Sequence, residues 1–217
     1  MSSNQALRHD ETGDPDAAMD QTIAYVIRDC LYLNITDRCT LGCTFCPKHN
    51  DSMEVQGHDL TMKRRPEAQE IIAAIGDPGN YREVVFCGYG EPTLRLAVLL
   101  EVAEWIKANG GRVRVNTDGL ANAVHKRNVL PEMVGKVDAL SVSMNAQDEE
   151  TYNRHCKPAI PGSYEAMLEF LFLAPRYIPE VTATALDGLE GVDIMACKRL
   201  AAGRGVKFRR RVLGLVG

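Results

Sequence analysis

Apolar positions along this chain alternate between two periods. Short runs rich in β-branched, aromatic and other apolar side chains, Leu31 to Thr36, Glu83 to Phe86, Arg112 to Val115, Ala139 to Ser143, Val181 to Leu186 and Val206 to Val212, read as strands. Ile23 to Val26 is a further β-prone run, with Arg28-Asp29 as a turn behind it. Between the strands, apolar residues recur at helical spacing, most plainly Leu96, Leu99, Leu100, Ala103 and Ile106, which run out at Gly110-Gly111. Pro66 suits the first turn of a helix through Ile71, Ile72 and Ile75, stopped by Asp77-Pro-Gly79. Thr93 is expected to N-cap the long helix, and Ser163 one through Met167, Phe170, Leu171 and Leu173. Shorter helices are expected over Ala121 to Val129, Asp148 to Asn153 and Asp193 to Ala202.

Six strand-to-helix alternations imply a parallel sheet, closed or nearly so. The fold class is α/β, a partial (βα)6 TIM-like barrel two units short of the full eight. In such sheets ligands sit beyond the C-terminal strand ends. The segment from Pro47 to Arg65 is polar and long for a connection, as functional loops are.

The 217 residues suit one domain. Residues 1–20 show neither period and hold Asp10, Glu11, Asp14, Asp16 and Asp20 against Arg8, so they read as a disordered acidic tail carrying the whole net charge of -4. The remaining 21–217 form the expected domain, balanced at 24 basic and 24 acidic side chains. A neutral body gives no electrostatic case for duplex nucleic acid. No apolar run approaches a membrane span and no signal-peptide pattern opens the chain, so a cytoplasmic, membrane-free protein is expected. Seven cysteines, an odd number, then point to metal binding or free thiols rather than a disulfide framework.

Three of them form Cys39-Thr-Leu-Gly-Cys43-Thr-Phe-Cys46, directly after the first core strand. A structural zinc site takes four protein ligands, and a fully protein-ligated [4Fe-4S] cluster four cysteines. Three leave one iron open to a substrate or cofactor, which reads as catalytic. The bland alternative is a zinc site completed by Cys30 or His49. Glycine permits close backbone approach at Gly88-Tyr-Gly90-Glu91-Pro92, where the carboxylate complements a cation. Polar side chains Asn116, Ser141, Ser143 and Asn145 stand at or near later strand ends, with Arg154 and Lys157 beyond them. His49, His58 and His155 carry no motif, and Cys87, Cys156 and Cys197 are expected to pack.

The C-x3-C-x2-C spacing with Phe45 before its last cysteine resembles the signature of the radical S-adenosylmethionine (radical SAM) enzymes. The resemblance implies that Cys39, Cys43 and Cys46 hold a [4Fe-4S] cluster whose fourth iron chelates S-adenosylmethionine. Reductive cleavage then yields a 5'-deoxyadenosyl radical that abstracts hydrogen from a substrate. It implies cofactor contacts from Phe45, from Gly88, Gly90 and Glu91, where Tyr89 replaces the first glycine of the family's glycine-glycine-glutamate motif, and from Asn116, Ser141, Ser143, Asn145 and Arg154. Further matches at Leu31 to Cys39, Val85 to Leu94, Asn116 to Asn122 and Thr151 to Arg154 look like the small radical SAM family linked or fused to TatD-type metal-dependent deoxyribonucleases. That implies a small-molecule, nucleotide-related substrate, a reductant such as flavodoxin or ferredoxin, and a TatD-type hydrolase partner. The competing readings are a glycyl-radical activase and a non-catalytic iron-sulfur or zinc module.

Overall fold

In the computed structural model, which describes residues 21–49 and 52–213, the chain opens with a hairpin. The expected tail over residues 1–20 lies outside the described residues. β1 (Ala24–Ile27) runs antiparallel to β2 (Cys30–Leu33), and Arg28 in the turn takes a left-handed φ of 57°. The polar segment that follows contains a small antiparallel pair, β3 (Glu54–Val55) and β4 (His58–Asp59), where continuous irregular chain was expected. Leu60 behind it is buried against Tyr25 and Ile27, which explains the ordering.

From there strand and helix alternate: α1 (Ala68–Ile75), β5 (Glu83–Phe86), α2 (Leu96–Ala108), β6 (Val113–Thr117), α3 (Ala121–His125), α4 (Leu130–Met133), β7 (Ala139–Ser143), α5 (Glu149–Cys156), α6 (Ser163–Leu173), β8 (Glu180–Asp187), α7 (Ile194–Ala202) and β9 (Lys207–Val212). The main sheet runs β1-β2-β5-β6-β7-β8-β9, parallel at every pairing except β1 with β2. The six expected parallel strands are therefore present, with β1 added at one edge. β1 and β9 are the two edges, so the barrel is partial, yet residues from both line one cavity, which means the sheet curves around it.

Because successive strand side chains point to opposite faces, each strand divides its residues between two environments. Leu31, Leu33, Val84, Phe86, Val115 and Val142 enter one apolar core with Leu99, Ile106 and Phe170 from the helices. The other face carries Tyr32, Arg114, Asn116, Ser141, Ser143, Arg209 and Arg211, which line the cavity. The outer face thus supplies stability and the inner face is left for chemistry.

Three local expectations are corrected. Thr93 does not cap α2. Pro92–Arg95 form a 3-10 turn first, and its cap is Glu91, whose carboxylate accepts from the Thr93 N–H at 3.0 Å. Proline supplies no N–H and suits the first position, so the capping acceptor is the residue before it. Ser163 opens α6 from inside, its hydroxyl donating to the Ile160 carbonyl at 2.7 Å, while Gly162 at φ 70° precedes it. The helix expected over 121–129 ends at His125, because Lys126 turns left-handed at φ 54°, and a separate short helix begins only at Leu130. Among the described residues, no helix is long and apolar enough to cross a membrane.

Two phenylalanines two positions apart on α6 test which helix face is buried. Phe170 is fully buried, and Phe172 is 53% exposed with the Arg176 guanidinium 4.8 Å from its ring centre. By urea denaturation, Phe170→Ala is expected to lose about 3–5 kcal/mol, and Phe172→Ala under about 1 kcal/mol. Equal losses would contradict the packing.

Candidate active site

The cysteine loop leaves β2 through Asn34, Ile35 and Thr36, all buried. Its backbone is pinned on two sides. The Gly42 N–H donates to the Cys156 carbonyl at 3.0 Å, the Thr44 N–H to the His155 carbonyl at 2.8 Å, and the Ala159 N–H to the Thr40 carbonyl at 2.9 Å, which fastens the loop to the end of α5. On the other side the Glu91 N–H donates to the Arg38 carbonyl at 2.7 Å. Gly90 is why that contact exists: a Cβ there would strike the Thr36 carbonyl oxygen and come within 2.7 Å of the Arg38 carbonyl oxygen. Gly88 likewise lies against the Asn34 side chain. The close backbone approach inferred for this glycine motif is therefore to the protein's own cysteine loop.

Glu91 anchors the assembly. It is 3% exposed, and its Oε1 accepts from the Thr93 N–H at 3.0 Å, the Thr93 hydroxyl at 2.6 Å and the Thr117 hydroxyl at 2.9 Å, while Oε2 accepts from the Asp118 N–H at 2.7 Å. Asp118, also buried, accepts from the Thr40 hydroxyl at 2.5 Å and the Leu120 N–H at 2.9 Å. One network thus joins the ends of β5 and β6 to the residue between Cys39 and Leu41. Burial, and then the charge of Asp118, push the Glu91 carboxyl up to about 8; burial also raises Asp118.

Cys39, Cys43 and Cys46 line one cavity of about 590 Å³, within the usual range for small-molecule sites. Their thiols are held in the protonated form. Desolvation and the Asp118 charge push Cys39 up to about 12, a hydrogen bond to Cys156 and burial raise Cys43, and burial raises Cys46. Cationic iron is the partner that would turn such thiols into thiolates, with release of protons. The donor set fits a cluster: three thiols on one loop facing a cavity, beside a buried Asn145 Oδ1 that has no hydrogen-bond partner. Among the described residues no three His, Cys, Asp or Glu side chains converge tightly enough to hold a single metal ion. Placement removes Cys30 as the fourth ligand of a zinc site. Cys30 begins β2, at the end of the strand away from the loop, with Asp29 and Arg82 beside its sulfur, and His49 is not among the cavity-lining residues.

Of the other residues singled out in the sequence, Phe45, Gly88, Gly90, Glu91, Asn116, Ser141, Ser143 and Asn145 all line this cavity. Asn116 accepts from Arg114 at 2.8 Å, and Asn145, at φ 61°, donates weakly to the Cys156 sulfur at 3.5 Å. Arg154 is not brought to the cavity. Tyr152 and Cys156 occupy the buried face of α5, which turns Arg154 outward, where it pairs with Glu150 at 2.9 Å. His155 is satisfied, bonding to the Glu190 carbonyl at 2.7 Å.

Several participants escaped the sequence reading. Asp118 stands among the turn-forming residues Asn116-Thr-Asp-Gly119, where no local signal distinguishes a capping aspartate from a tethering one. Cys156 packs, as expected, but against Cys43. Arg209 and Arg211 had a usable signal: within Lys207-Phe-Arg-Arg-Arg-Val212 they share the face opposite Phe208, which packs against the apolar core.

Comparison with known proteins agrees with this geometry. The sequence profile of the radical SAM superfamily matches residues 33–201. A GTP 3',8-cyclase from Peptoclostridium acidaminophilum is 27% identical over 140 residues, 64% of this chain and 40% of the relative. The chain thus spans well under half the length of that relative. Among solved structures, TYW1 with a lysine-pyruvate adduct bound superposes with a TM-score of 0.61 at 18% identity, over 87% of this chain and 66% of that one. Streptococcus suis SuiB bound to S-adenosylmethionine gives 0.59 at 11% identity, over 85% and 40%. These likenesses show the fold.

The Glu91 network predicts a pH dependence. A carboxyl whose folded value is raised from about 4.3 binds its proton more tightly when folded, so its stabilising contribution is complete below about pH 4.3 and is lost as pH rises through about 8. The melting temperature should fall between pH 5 and 8.5, and Glu91→Gln should flatten that fall. An unchanged slope in the variant would contradict the assignment.

Proposed function

Because this chain belongs to the radical SAM superfamily, we propose that it is an enzyme in which Cys39, Cys43 and Cys46 hold a [4Fe-4S] cluster and the adjoining cavity receives S-adenosylmethionine and a small-molecule substrate. The observation that carries this reading is the opening of all three thiols into one cavity rimmed by polar strand ends. When bound, the cluster and S-adenosylmethionine supply a 5'-deoxyadenosyl radical that abstracts hydrogen from the substrate.

The chain's own residues bind, orient and shield. Phe45 packs against the apolar core and keeps the loop facing inward. Glu91, on the cavity wall, takes an ammonium group such as that of the methionine moiety once its carboxyl gives up its proton. Asn145 Oδ1 suits a hydroxyl donor, and Ser141 and Ser143, on the same strand-end rim, suit ribose hydroxyls. Asn116 lends its amide beside them. A reductant such as flavodoxin or ferredoxin supplies the electron.

A nucleotide-related substrate is the finer reading. It is supported by the name of the cyclase relative, which acts on GTP, and by the resemblance to the TatD-linked family, whose hydrolase would be a functional partner. A glycyl-radical activase or a non-catalytic iron-sulfur module is disfavoured, because neither explains an inner sheet face this polar around a cavity this large.

The test is anaerobic: reconstitution with iron and sulfide, reduction with dithionite, addition of S-adenosylmethionine and chromatography for 5'-deoxyadenosine. Product is expected from the parent protein, with at least a hundredfold loss in Cys39→Ala, Cys43→Ala and Cys46→Ala. A well-formed cluster that yields none would overturn the reading.

A further inference from the structure

The inner face of the sheet changes character from bottom to top. At the bottom, charges cancel: Arg112 meets Glu83 at 3.2 Å and Glu180 at 2.8 Å, Lys207 meets Glu180 at 3.6 Å, and Arg114 meets Glu83 at 2.9 Å. One and two steps further along β9, Arg209 and Arg211 project from the same face as Lys207, opposite Thr184 and Leu186 of β8 by register. Both line the cavity that the cysteine loop faces. Neither guanidinium has an ion pair or hydrogen bond among the described residues, and Arg211 Nε is buried with no partner. Arg210, on the outer face, pairs with Asp187.

A guanidinium taken out of water without a counter-charge is destabilising. Arg211 is half-buried, and the more exposed Arg209, two residues before it on the strand, adds a like charge on the same face. Desolvation followed by the charges of Arg114 and Arg211 pushes Arg209 below the ordinary arginine value, and desolvation does the same to Arg211. The arrangement becomes favourable when an oxyanion enters, because each guanidinium offers a planar fork of donors matched to carboxylate or phosphate. Tyr25 and Tyr32, stacked with ring centres 5.5 Å apart, line the same cavity and offer a flat apolar surface for the rest of the molecule.

We propose that Arg209 and Arg211 form an oxyanion subsite for the substrate, so that the molecule acted upon carries a carboxylate or phosphate group. This rests on the reading of the cavity as a radical SAM substrate site and narrows its substrate class. The other source of an oxyanion in such a cavity is the carboxylate of S-adenosylmethionine itself, and the two are separable.

The experiment is anaerobic titration calorimetry on the reconstituted full chain with inorganic phosphate, succinate and S-adenosylmethionine as probes. Saturable binding of phosphate or succinate is expected, weakened at least tenfold in Arg209→Gln and in Arg211→Gln, partly restored in Arg211→Lys and unaltered in Arg210→Gln. The stronger of the two probes identifies the anion. Arg211→Gln is also expected to hold or raise the melting temperature, since it removes an unpaired, half-buried charge; an arginine with a merely structural role would lower it. The proposal is overturned if neither probe binds saturably, or if Arg211→Gln weakens S-adenosylmethionine tenfold while leaving phosphate and succinate unchanged. Scoring 5'-deoxyadenosine in the same preparations separates the two levels. Cofactor cleavage without anion binding removes this subsite only, whereas anion binding without cleavage removes the radical reading.

Discussion

A carboxyl group sealed away from water needs hydrogen-bond partners on its oxygens, and the cavity-facing end of this protein is arranged around one. Glu91 takes its donors from Thr93, Thr117 and Asp118, and Asp118 in turn holds Thr40. Because those residues sit at the ends of different strands and in the cysteine loop, satisfying one buried group fixes the relative positions of all of them. A network of this kind is costly when incomplete, so it admits one arrangement rather than several. The backbone bonds from the loop to the end of α5 close the second side. The loop that carries the three cysteines is thereby held on both sides, with all three lining one cavity.

The same two-residue period that builds the sheet also divides labour within it. Apolar residues on the outer face pack with the helices and carry stability, while the inner face is free to be polar. That freedom is used in layers. Paired charges fill the bottom of the lumen, hydroxyl and amide groups rim the top beside the cysteine loop, and β9 brings cationic side chains to one side. A closed eight-stranded barrel fills its interior with side chains. The partial barrel leaves a cavity instead, open between the edges β1 and β9.

Much of this was legible in the chain. The six parallel strands follow from alternating periodicity, and β5 and β7 fall where their apolar runs predicted. The cysteine spacing identified the loop, and the glycine-glutamate motif identified its neighbour. What was hidden depended on long-range partners. Thr93 and Ser163 have the chemistry of caps, but Pro92 moved one cap to Glu91 and Gly162 displaced the other. Arg154 has the right type and the right neighbourhood in sequence, yet the buried face of α5 is set by Tyr152 and Cys156, so it points outward. Asp118 and Thr40 meet across 78 residues of chain, and nothing local announces that contact.

The central claim is that the loop from Cys39 to Cys46 presents a cluster with one coordination position open to the cavity. Electron paramagnetic resonance of the reduced, reconstituted protein tests it most directly, recorded before and after addition of S-adenosylmethionine. The account predicts a [4Fe-4S] signal whose g-values shift when S-adenosylmethionine is added, because the open iron acquires new ligands. A cluster spectrum identical in both conditions would contradict it.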